Sequence, residues 1–350
     1  MIALAWRQFR TQAVLGLGVL VVIAVAVGLT GPHLAHVLHQ AQSCRAQRNC
    51  FGSGPEIPSI DRFLRIALTM LVMAAPAAAG MFWGAPLVAR ELENGTFRLA
   101  WTQSVTRRRW LAVKLGVLGL TTAVAAALLS LMVTWWFSSL DTVLMDRFVP
   151  GHFDGRYVVV IGYALFAFVL GVALGSVLRR PVAAMAATLF AFVGVRLAVL
   201  EWIRPHFETP IRVTMPWQPP GPGPGISRGG PTGGPKSGDW VTSDQLIARG
   251  GHVISSNGGM QIGVRPGTHT IIINNLRCTG VKIGTPLTTG PKQFAHAVKH
   301  CADKLGLHEA VAFQPASRFW TFQWYEFALF VVLALLVSGL SYWWVTRRLT

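Results

Sequence analysis

The sequence predicts an all-α polytopic membrane protein with six transmembrane helices and a small α+β extracytoplasmic domain between the fifth and sixth helices. The composition supports this class, because 52% of the 350 residues are hydrophobic and only 13% are charged, whereas a soluble protein has about 25% charged residues. The apolar residues are grouped into long runs. The basic residues are divided unevenly between the segments that join those runs.

Six apolar runs are long enough to cross about 30 Å of hydrocarbon as helices, which takes about 20 residues. They lie near residues 13–30, 63–88, 111–137, 157–178, 182–203 and 322–345. The first run follows Arg7 and Arg10 as in a signal peptide, but no small-residue cleavage site follows it, so we interpret it as an uncleaved anchor. We therefore expect helices 1–5 within residues 1–203, and the sixth helix with a cytoplasmic tail within residues 322–350.

The basic residues predict the orientation. With both termini in the cytoplasm, the inner segments contain twelve Lys and Arg residues and the two short outer loops contain six, which is the bias of the positive-inside rule. The formal net charge of +17 then has two sources: the basic residues that set the topology, and a basic outer loop. Nucleic-acid binding is the weaker interpretation, because the sequence shows no soluble basic domain to carry it.

The four cysteines agree with this orientation, since all of them fall in segments predicted to face the oxidising side of the membrane. An even number there predicts two disulfides, Cys44–Cys50 and Cys278–Cys301. A metal site at His296, His300 and Cys301 is the competing interpretation. It is disfavoured because a disulfide consumes the thiolate that zinc needs, and we expect no metal.

Residues 204–321 are predicted to form the extracytoplasmic domain. Residues 216–238 near its start are too rich in proline and glycine to pack, which is typical of a flexible tether. Beyond them, HTIIINNLRC has the pattern of a strand and PKQFAHAVKHCADKLG that of an amphipathic helix. These segments predict a small α+β module stapled by one disulfide, and no catalytic arrangement stands out in it.

One stretch, RELENGTFRLAWTQSVTRRRW at residues 90–110, interrupts the apolar sequence while keeping helical spacing. A helix resting on the inner membrane surface with basic anchors would explain it. Two features disfavour that interpretation: Glu91 and Glu93 would be repelled by anionic lipid, and Gly95 weakens a helix that only has to lie flat. An exposed surface of mixed charge suits a protein partner better.

The block GAPLVARELENGTFRLAWTQSVTRRRW closely resembles the segment after the second span in membrane subunits of type-2 ABC exporters, with those of actinobacteria nearest. FQPASRFWTFQWYE, residues 313–326, resembles the lead into their last span. The resemblance implies that residues 88–110 are the inner coupling segment, which sits in a groove of a separate ATPase subunit. The coupling residues predicted in it are Arg90, Glu91, Glu93, Gly95, Arg98, Trp101, Arg107 and Arg108.

The same resemblance implies the permease subunit of an ABC exporter in a bacterial cell membrane. Two copies of this chain, or one copy and a related permease, would form the pathway, and the partner ATPase would bind ATP and Mg. The sequence has no glycine-rich nucleotide-binding loop on its inner side, so we expect a non-catalytic subunit without a cofactor of its own. The long outer domain departs from the brief re-entrant hairpin of many relatives.

Two charged residues, Arg196 and Glu201, lie within the fifth apolar run. Charges inside a membrane are candidates for function, but both lie toward the outer end, where snorkelling to the interface also explains them. The apolar spans suggest an amphipathic or lipophilic substrate. The alternative function is a membrane-anchored extracytoplasmic ligand-binding or sensory protein, which is disfavoured because an anchor needs one span and has no use for residues 90–110.

Overall fold

The computed structural model describes residues 2–46, 59–93, 107–144, 147–217, 234–236, 238–256, 262–265, 270–274, 276–279 and 291–348. Its α-helices are α1 (Ile2–Ala46), α2 (Ser59–Ala78), α3 (Ala85–Glu93), α4 (Arg107–Leu144), α5 (Pro150–Phe153), α6 (Val159–Leu178), α7 (Pro181–Ala198), α8 (Pro291–Leu305) and α9 (Phe319–Arg348). A π-helical turn, Ala79–Gly84, joins α2 to α3, and a second one, Val199–Ile203, extends α7.

Six of the described helical segments are long and apolar enough to cross a membrane, which confirms the predicted number of spans. They are Ala13–His36, Arg62–Glu93, Arg109–Asp141, Val159–Leu178, Pro181–His206 and Ala316–Arg347. Helices suit this role because every backbone polar group in hydrocarbon has to be satisfied within the segment itself. We number these segments spans 1 to 6.

The described chain divides into two compact units. A helical unit comprises Met1–Met145, Val149–Phe207 and Trp320–Thr350, and a small unit comprises Asp146–Phe148 and Glu208–Phe319. Arg204, which the sequence analysis assigns to the start of the extracytoplasmic domain, lies within the helical unit.

The helical unit is organised around α6, which is apolar on every side, as expected of a helix that is surrounded by others. The π-helical turn before α3 approaches it closely. A Cβ atom at Gly80 would lie 2.5 Å from the carbonyl oxygen of Ala167, and one at Gly171 would overlap the carbonyl oxygen of Gly80. Glycine at these positions therefore allows the two backbones to meet, as small residues do between membrane helices.

Less of span 1 than of α6 is buried against other helices, and span 1 exposes a broad apolar face. The indole Nε1 of Trp136 in α4 donates a hydrogen bond to Thr30 Oγ1 over 3.0 Å, which joins the two helices near the end of span 1. On its outer side, Val14, Leu15 and Leu29 are all more than two-thirds exposed. Lipid chains are as apolar as these side chains, so such exposure costs little in a bilayer.

The small unit contains two antiparallel sheets. The strands are β1 (Ile211–Pro216), β2 (Trp240–Ile247), β3 (Val253–Ser256), β4 (Ile262–Arg265), β5 (Thr270–Ile273), β6 (Leu276–Thr279) and β7 (His308–Gln314). They form a four-stranded sheet in the order β1-β7-β2-β3 and a three-stranded sheet in the order β4-β5-β6. The segment HTIIINNLRC is thus a hairpin rather than one strand, because Asn274 has a positive φ of 42° and turns the chain.

The helix predicted at PKQFAHAVKHCADKLG is α8, and Cys301 on it is bonded to Cys278 on β6. Their Cα atoms are 5.9 Å apart, within the usual range for a disulfide, which confirms this pair. Around it pack Ile271, Ile273 and Val298, all nearly inaccessible to solvent. The other predicted pair, Cys44–Cys50, lies outside the described residues, since only the backbone is described at Cys44.

The segment predicted as a tether is bounded by packed residues at both ends. Pro216 belongs to β1, and the next residue, Trp217, is 5% exposed and donates its backbone N–H to Leu307 over 3.2 Å. At the other end, Gly234 and Pro235 are buried. Residues 218–233, the greater part of the predicted tether, lie outside the described residues.

Candidate functional site

The predicted coupling segment is described only at its two ends. Arg90, Glu91 and Glu93 close α3, and Arg107 and Arg108 begin α4 with their backbone alone described. Gly95, Arg98 and Trp101 lie outside the described residues. The two described ends nevertheless show how the segment is attached to the spans.

The inner side of α3 is packed against α6. Ala85, Val88 and Ala89 are completely buried, and a Cβ atom at Gly175 of α6 would overlap the carbonyl oxygen of Ala85. Arg90 and Glu93, near the end of α3, are exposed. This short helix therefore presents charge outward while its backbone is wedged against the central helix.

Glu91 does not point outward with its two neighbours. Its carboxylate lies 2.5 Å from the Nζ atom of Lys114 in α4, and the two side chains are 16% and 5% exposed. The Lys114 ammonium also lies 4.5 Å from the ring centre of Trp110. The physical reason is that a buried ammonium needs an opposite charge at hydrogen-bond distance, and Glu91 is positioned to supply it.

The ion pair joins the beginning of the predicted coupling segment to the helix that follows it. Glu91 lies within the segment near its start, and Lys114 lies in α4 just beyond its end, 23 positions further along the chain. Spans 2 and 3 are thereby linked where the segment leaves one and enters the other. The Glu91–Lys114 pair is therefore a contact between α3 and α4 at the two described ends of the predicted coupling segment.

A second group of buried charges lies toward the opposite end of α6. We call it the charge cluster; its members are Asp154, Tyr163, Arg196, Arg204 and Glu326. Arg204, Asp154 and Glu326 are 2%, 3% and 1% exposed. Tyr163 in the cluster and Gly175 beside α3 are twelve residues apart on α6, which corresponds to about 18 Å along a helix axis.

Arg204 is the centre of the charge cluster. Its Nε and Nη2 atoms donate to the two carboxylate oxygens of Glu326 over 2.7 Å and 2.8 Å, and Nη2 also donates to Asp154. Such a bidentate pair is the strongest geometry between arginine and a carboxylate. The Tyr163 hydroxyl contacts both Asp154 and Glu326, so the two acids share the same donors.

Arg196 reaches the same cluster from eight residues before Arg204. Its Nη2 atom lies 3.5 Å from Asp154 Oδ2, and its guanidinium lies 4.5 Å from the ring centre of Tyr163. In a regular α-helix of about 100° per residue, Arg196 and Arg204 would point about 80° apart. The intervening π-helical turn has wider i→i+5 hydrogen bonding and rotates less per residue, so both guanidinium groups face Asp154.

Gln323 completes the polar contacts at this end of α6. Its amide nitrogen donates to the carbonyl oxygen of Phe153 over 2.8 Å, and its amide oxygen accepts from the N–H of Val159 over 3.3 Å. These two backbone groups lie where α5 ends and α6 begins. Gln323 of span 6 therefore supplies hydrogen bonds to the backbone groups of Phe153 and Val159, at the break between α5 and α6, as buried backbone groups require.

Only part of the charge cluster was predictable from the sequence. Of the two intramembrane candidates, Arg196 belongs to the cluster and Glu201 is exposed on the π-helical turn. Asp154, Arg204 and Glu326 were missed because each lies at an end of an apolar run, where charges commonly sit at the interface. One signal was available: Glu326 closes the block FQPASRFWTFQWYE, which stood out for its resemblance.

Within the described part of the chain, no group of three or more His, Cys, Asp or Glu residues is arranged to hold a metal ion. The acids of the charge cluster are instead engaged with arginine side chains.

Six apolar helical segments of the described chain define a polytopic membrane protein. Charges buried among them, such as Lys114, Arg204 and Glu326, are paired. A family model described as ABC-2 membrane transporter related matches residues 17–204, more than half of the chain. The chain belongs to this family of ABC transporter membrane proteins, whose members are generally non-catalytic membrane subunits. The family implies an ABC ATPase partner and a dimeric arrangement. No curated protein and no solved structure matches the chain.

Proposed function

We propose that this chain is the permease subunit of an ABC exporter and forms the translocation pathway for an amphipathic or lipophilic substrate. A separate ATPase chain binds ATP and Mg and supplies the energy. The pathway is completed by a second copy of the chain or by a related permease. Both termini face the cytoplasm of a bacterial cell, and the small unit is extracytoplasmic.

The observation that carries this proposal is the attachment of the coupling segment to three spans. The Glu91–Lys114 pair joins spans 2 and 3 at the two ends of the segment. In addition, α3 is wedged against α6, which is span 4, at Gly175. If a partner displaces residues 94–106, the displacement should therefore move the helices packed at both ends of this segment. Packed helices shift as units, because packed elements are not continuously deformable.

The exposed charges of α3 supply a surface for the ATPase. Arg90 and Glu93 are exposed, and we propose that they contact the partner together with Gly95, Arg98, Trp101, Arg107 and Arg108. Glu91 has a different role in this proposal. Because it is paired with Lys114, it transmits the movement of the segment and does not bind the partner.

The two roles are separable by mutation. We expect Glu93→Lys to reduce co-purification of the partner ATPase by at least about tenfold, the equivalent of about 1.4 kcal/mol. We expect Lys114→Gln to leave co-purification intact but to reduce substrate-stimulated ATP hydrolysis, because the segment is no longer held to span 3. The measurements are co-purification from cells that express both chains, and ATP hydrolysis by the reconstituted complex.

Asp303→Lys on α8 is the matched control, since it makes the same charge reversal at an exposed carboxylate in the small unit. If α3 and the following segment only rest on lipid, Glu93→Lys should strengthen membrane attachment by about 1 kcal/mol and leave both measurements unchanged. That result would remove the coupling role, and with it the main support for the proposed function.

A further inference from the structure

An apolar cavity of about 230 Å³ lies within the helical unit, between spans 1, 2, 3 and 4. It is separate from both the coupling segment and the charge cluster. Its size falls between an engineered cavity of about 150 Å³ that binds benzene and the pockets of at least about 300 Å³ that hold drug-sized ligands. It therefore has room for a short length of hydrocarbon chain or a small ring.

Two features of span 2 create the cavity. The helix has a proline, Pro76, followed by the π-helical turn Ala79–Gly84, and such irregularities bend or widen a helix. The residues that face the space from spans 2 and 3 are often alanine, among them Ala75, Ala79 and Ala125. A widened backbone with small side chains leaves a volume that the neighbouring helices do not fill.

The lining is almost entirely apolar, and its polar side-chain groups are those of Thr122 and Trp83. Thr122 contributes the one hydroxyl among the lining residues, and that hydroxyl donates to the carbonyl oxygen of Leu118 in its own helix over 2.8 Å. Thr122 therefore has its hydrogen bond within α4. The chemistry of the site suits a saturated or aromatic hydrocarbon and disfavours a headgroup or any ligand that needs hydrogen bonds.

The cavity has a buried floor and an exposed rim. The floor includes Ile23, Leu129 and Ala164, which are 7%, 5% and 2% exposed, whereas the rim residues Val19 and Phe82 are 53% and 55% exposed. The rim is continuous with the apolar outer face of span 1, which is suited to contact bilayer hydrocarbon. The opening therefore faces the bilayer hydrocarbon, which consists of lipid acyl chains.

We propose that this cavity is a binding site for one acyl chain of a bilayer phospholipid, inserted sideways between spans 1 and 2. An empty apolar void forfeits the dispersion contacts of its lining, and an acyl chain restores them without having to leave an aqueous phase. This site does not depend on the proposed transport function. It requires only that the six spans lie in a bilayer.

The test uses the full chain in nanodiscs that contain a phospholipid with a photoactivatable diazirine in its acyl chain. Cross-linked positions are mapped by mass spectrometry. Ordinary surrounding lipid reaches only exposed positions such as Leu120 and Leu131 of span 3, each 66% exposed. A chain within the cavity also labels the floor, so we expect cross-links at Ile23, Leu129 and Ala164.

Two variants fill the cavity from opposite walls, Ala75→Phe and Ala125→Phe. Their matched controls, Ala74→Phe and Val124→Phe, place the same ring at the adjacent exposed position of the same helix. We expect labelling of the floor to fall by about tenfold in the filling variants and to stay unchanged in the controls. Labelling of Leu120 and Leu131 should not change in any of the four.

The proposal would be overturned by no labelling of the floor in the unmodified chain, or by equal labelling in the filling variants and their controls. Labelling by a free alkyl diazirine but not by the phospholipid would also overturn it, and would assign the cavity to a lipophilic cargo. If a filling variant does not fold, the comparison of floor and exposed positions in the unmodified chain decides alone.

Discussion

Arg204 and Glu326 show how single residues constrain this molecule. Both are almost completely buried, and a buried charge is tolerated when its partner is close and its remaining hydrogen bonds are satisfied. Arg204 meets that condition with two carboxylates, and Glu326 meets it with Arg204 and Tyr163. The pair connects the end of span 5 to the beginning of span 6, so a change in one residue affects the packing of two helices.

We predict that Glu326→Gln destabilises the full chain by about 3 kcal/mol. Breaking a buried ion pair costs about 3–5 kcal/mol, and the lower figure applies because Asp154 continues to neutralise Arg204. The control is Glu201→Gln, five residues after Arg196 and exposed, which should change stability by less than about 0.5 kcal/mol. Thermal unfolding of the detergent-solubilised protein measures both, and equal melting temperatures for the two variants would contradict the assigned role of the charge cluster.

At the scale of elements, the contact between the π-helical turn Ala79–Gly84 and α6 determines how span 2 is placed. The two sequences GMFWG and GVALG each have glycines four positions apart, at Gly80 and Gly84 and at Gly171 and Gly175. All four positions are so close to the facing backbone that a Cβ atom would overlap it. The contact therefore depends on the absence of side chains on both elements.

Substitution of alanine for glycine separates this contact from ordinary helix propensity. Gly171→Ala should destabilise the protein by about 1–3 kcal/mol, because overpacking forces the backbones apart. Gly194→Ala in α7 is the control: a Cβ atom there meets nothing within 4 Å, and alanine is favoured over glycine inside a helix by up to about 1 kcal/mol. It should be neutral or stabilising in the same unfolding measurement, and a loss of stability equal to that of Gly171→Ala would argue against the glycine contact.

At the scale of the whole molecule, the two units are stabilised by different means. The helical unit has a large apolar core with paired charges inside it. The small unit has a separate core that includes Cys278 and Cys301, and small domains commonly need such covalent support. A disulfide also fits the proposed extracytoplasmic location, because such bonds persist in oxidising compartments.

Replacing Cys278 and Cys301 with alanine should destabilise the small unit by about 2–4 kcal/mol, the usual contribution of a disulfide. The effect should be local, because the cysteines lie only in that unit's core. Limited proteolysis of the full chain should then cleave within residues 208–319 while the spans stay protected. Peptide mapping without reductant provides the independent check: free thiols at both positions in protein from an oxidising environment would contradict both the bond and the outward placement.

The sequence by itself determined the number of spans, the family resemblance and the Cys278–Cys301 pair. These follow from local quantities, namely the length of apolar runs, the letters of one block and the number of cysteines, and none requires knowing which helices touch. The amphipathic helix at Pro291–Leu305 was predictable for the same reason.

Only the tertiary structure shows which charged side chains form ion pairs with one another. Glu91 appears in the sequence as one of several charges in a polar stretch, and its bond to Lys114 depends on α3 and α4 lying side by side. Asp154, Arg204 and Glu326 come together from segments separated by up to 172 positions along the chain. The π-helical turn at Val199–Ile203 reduces the rotation per residue between Arg196 and Arg204, and a hydropathy pattern contains no information about that turn.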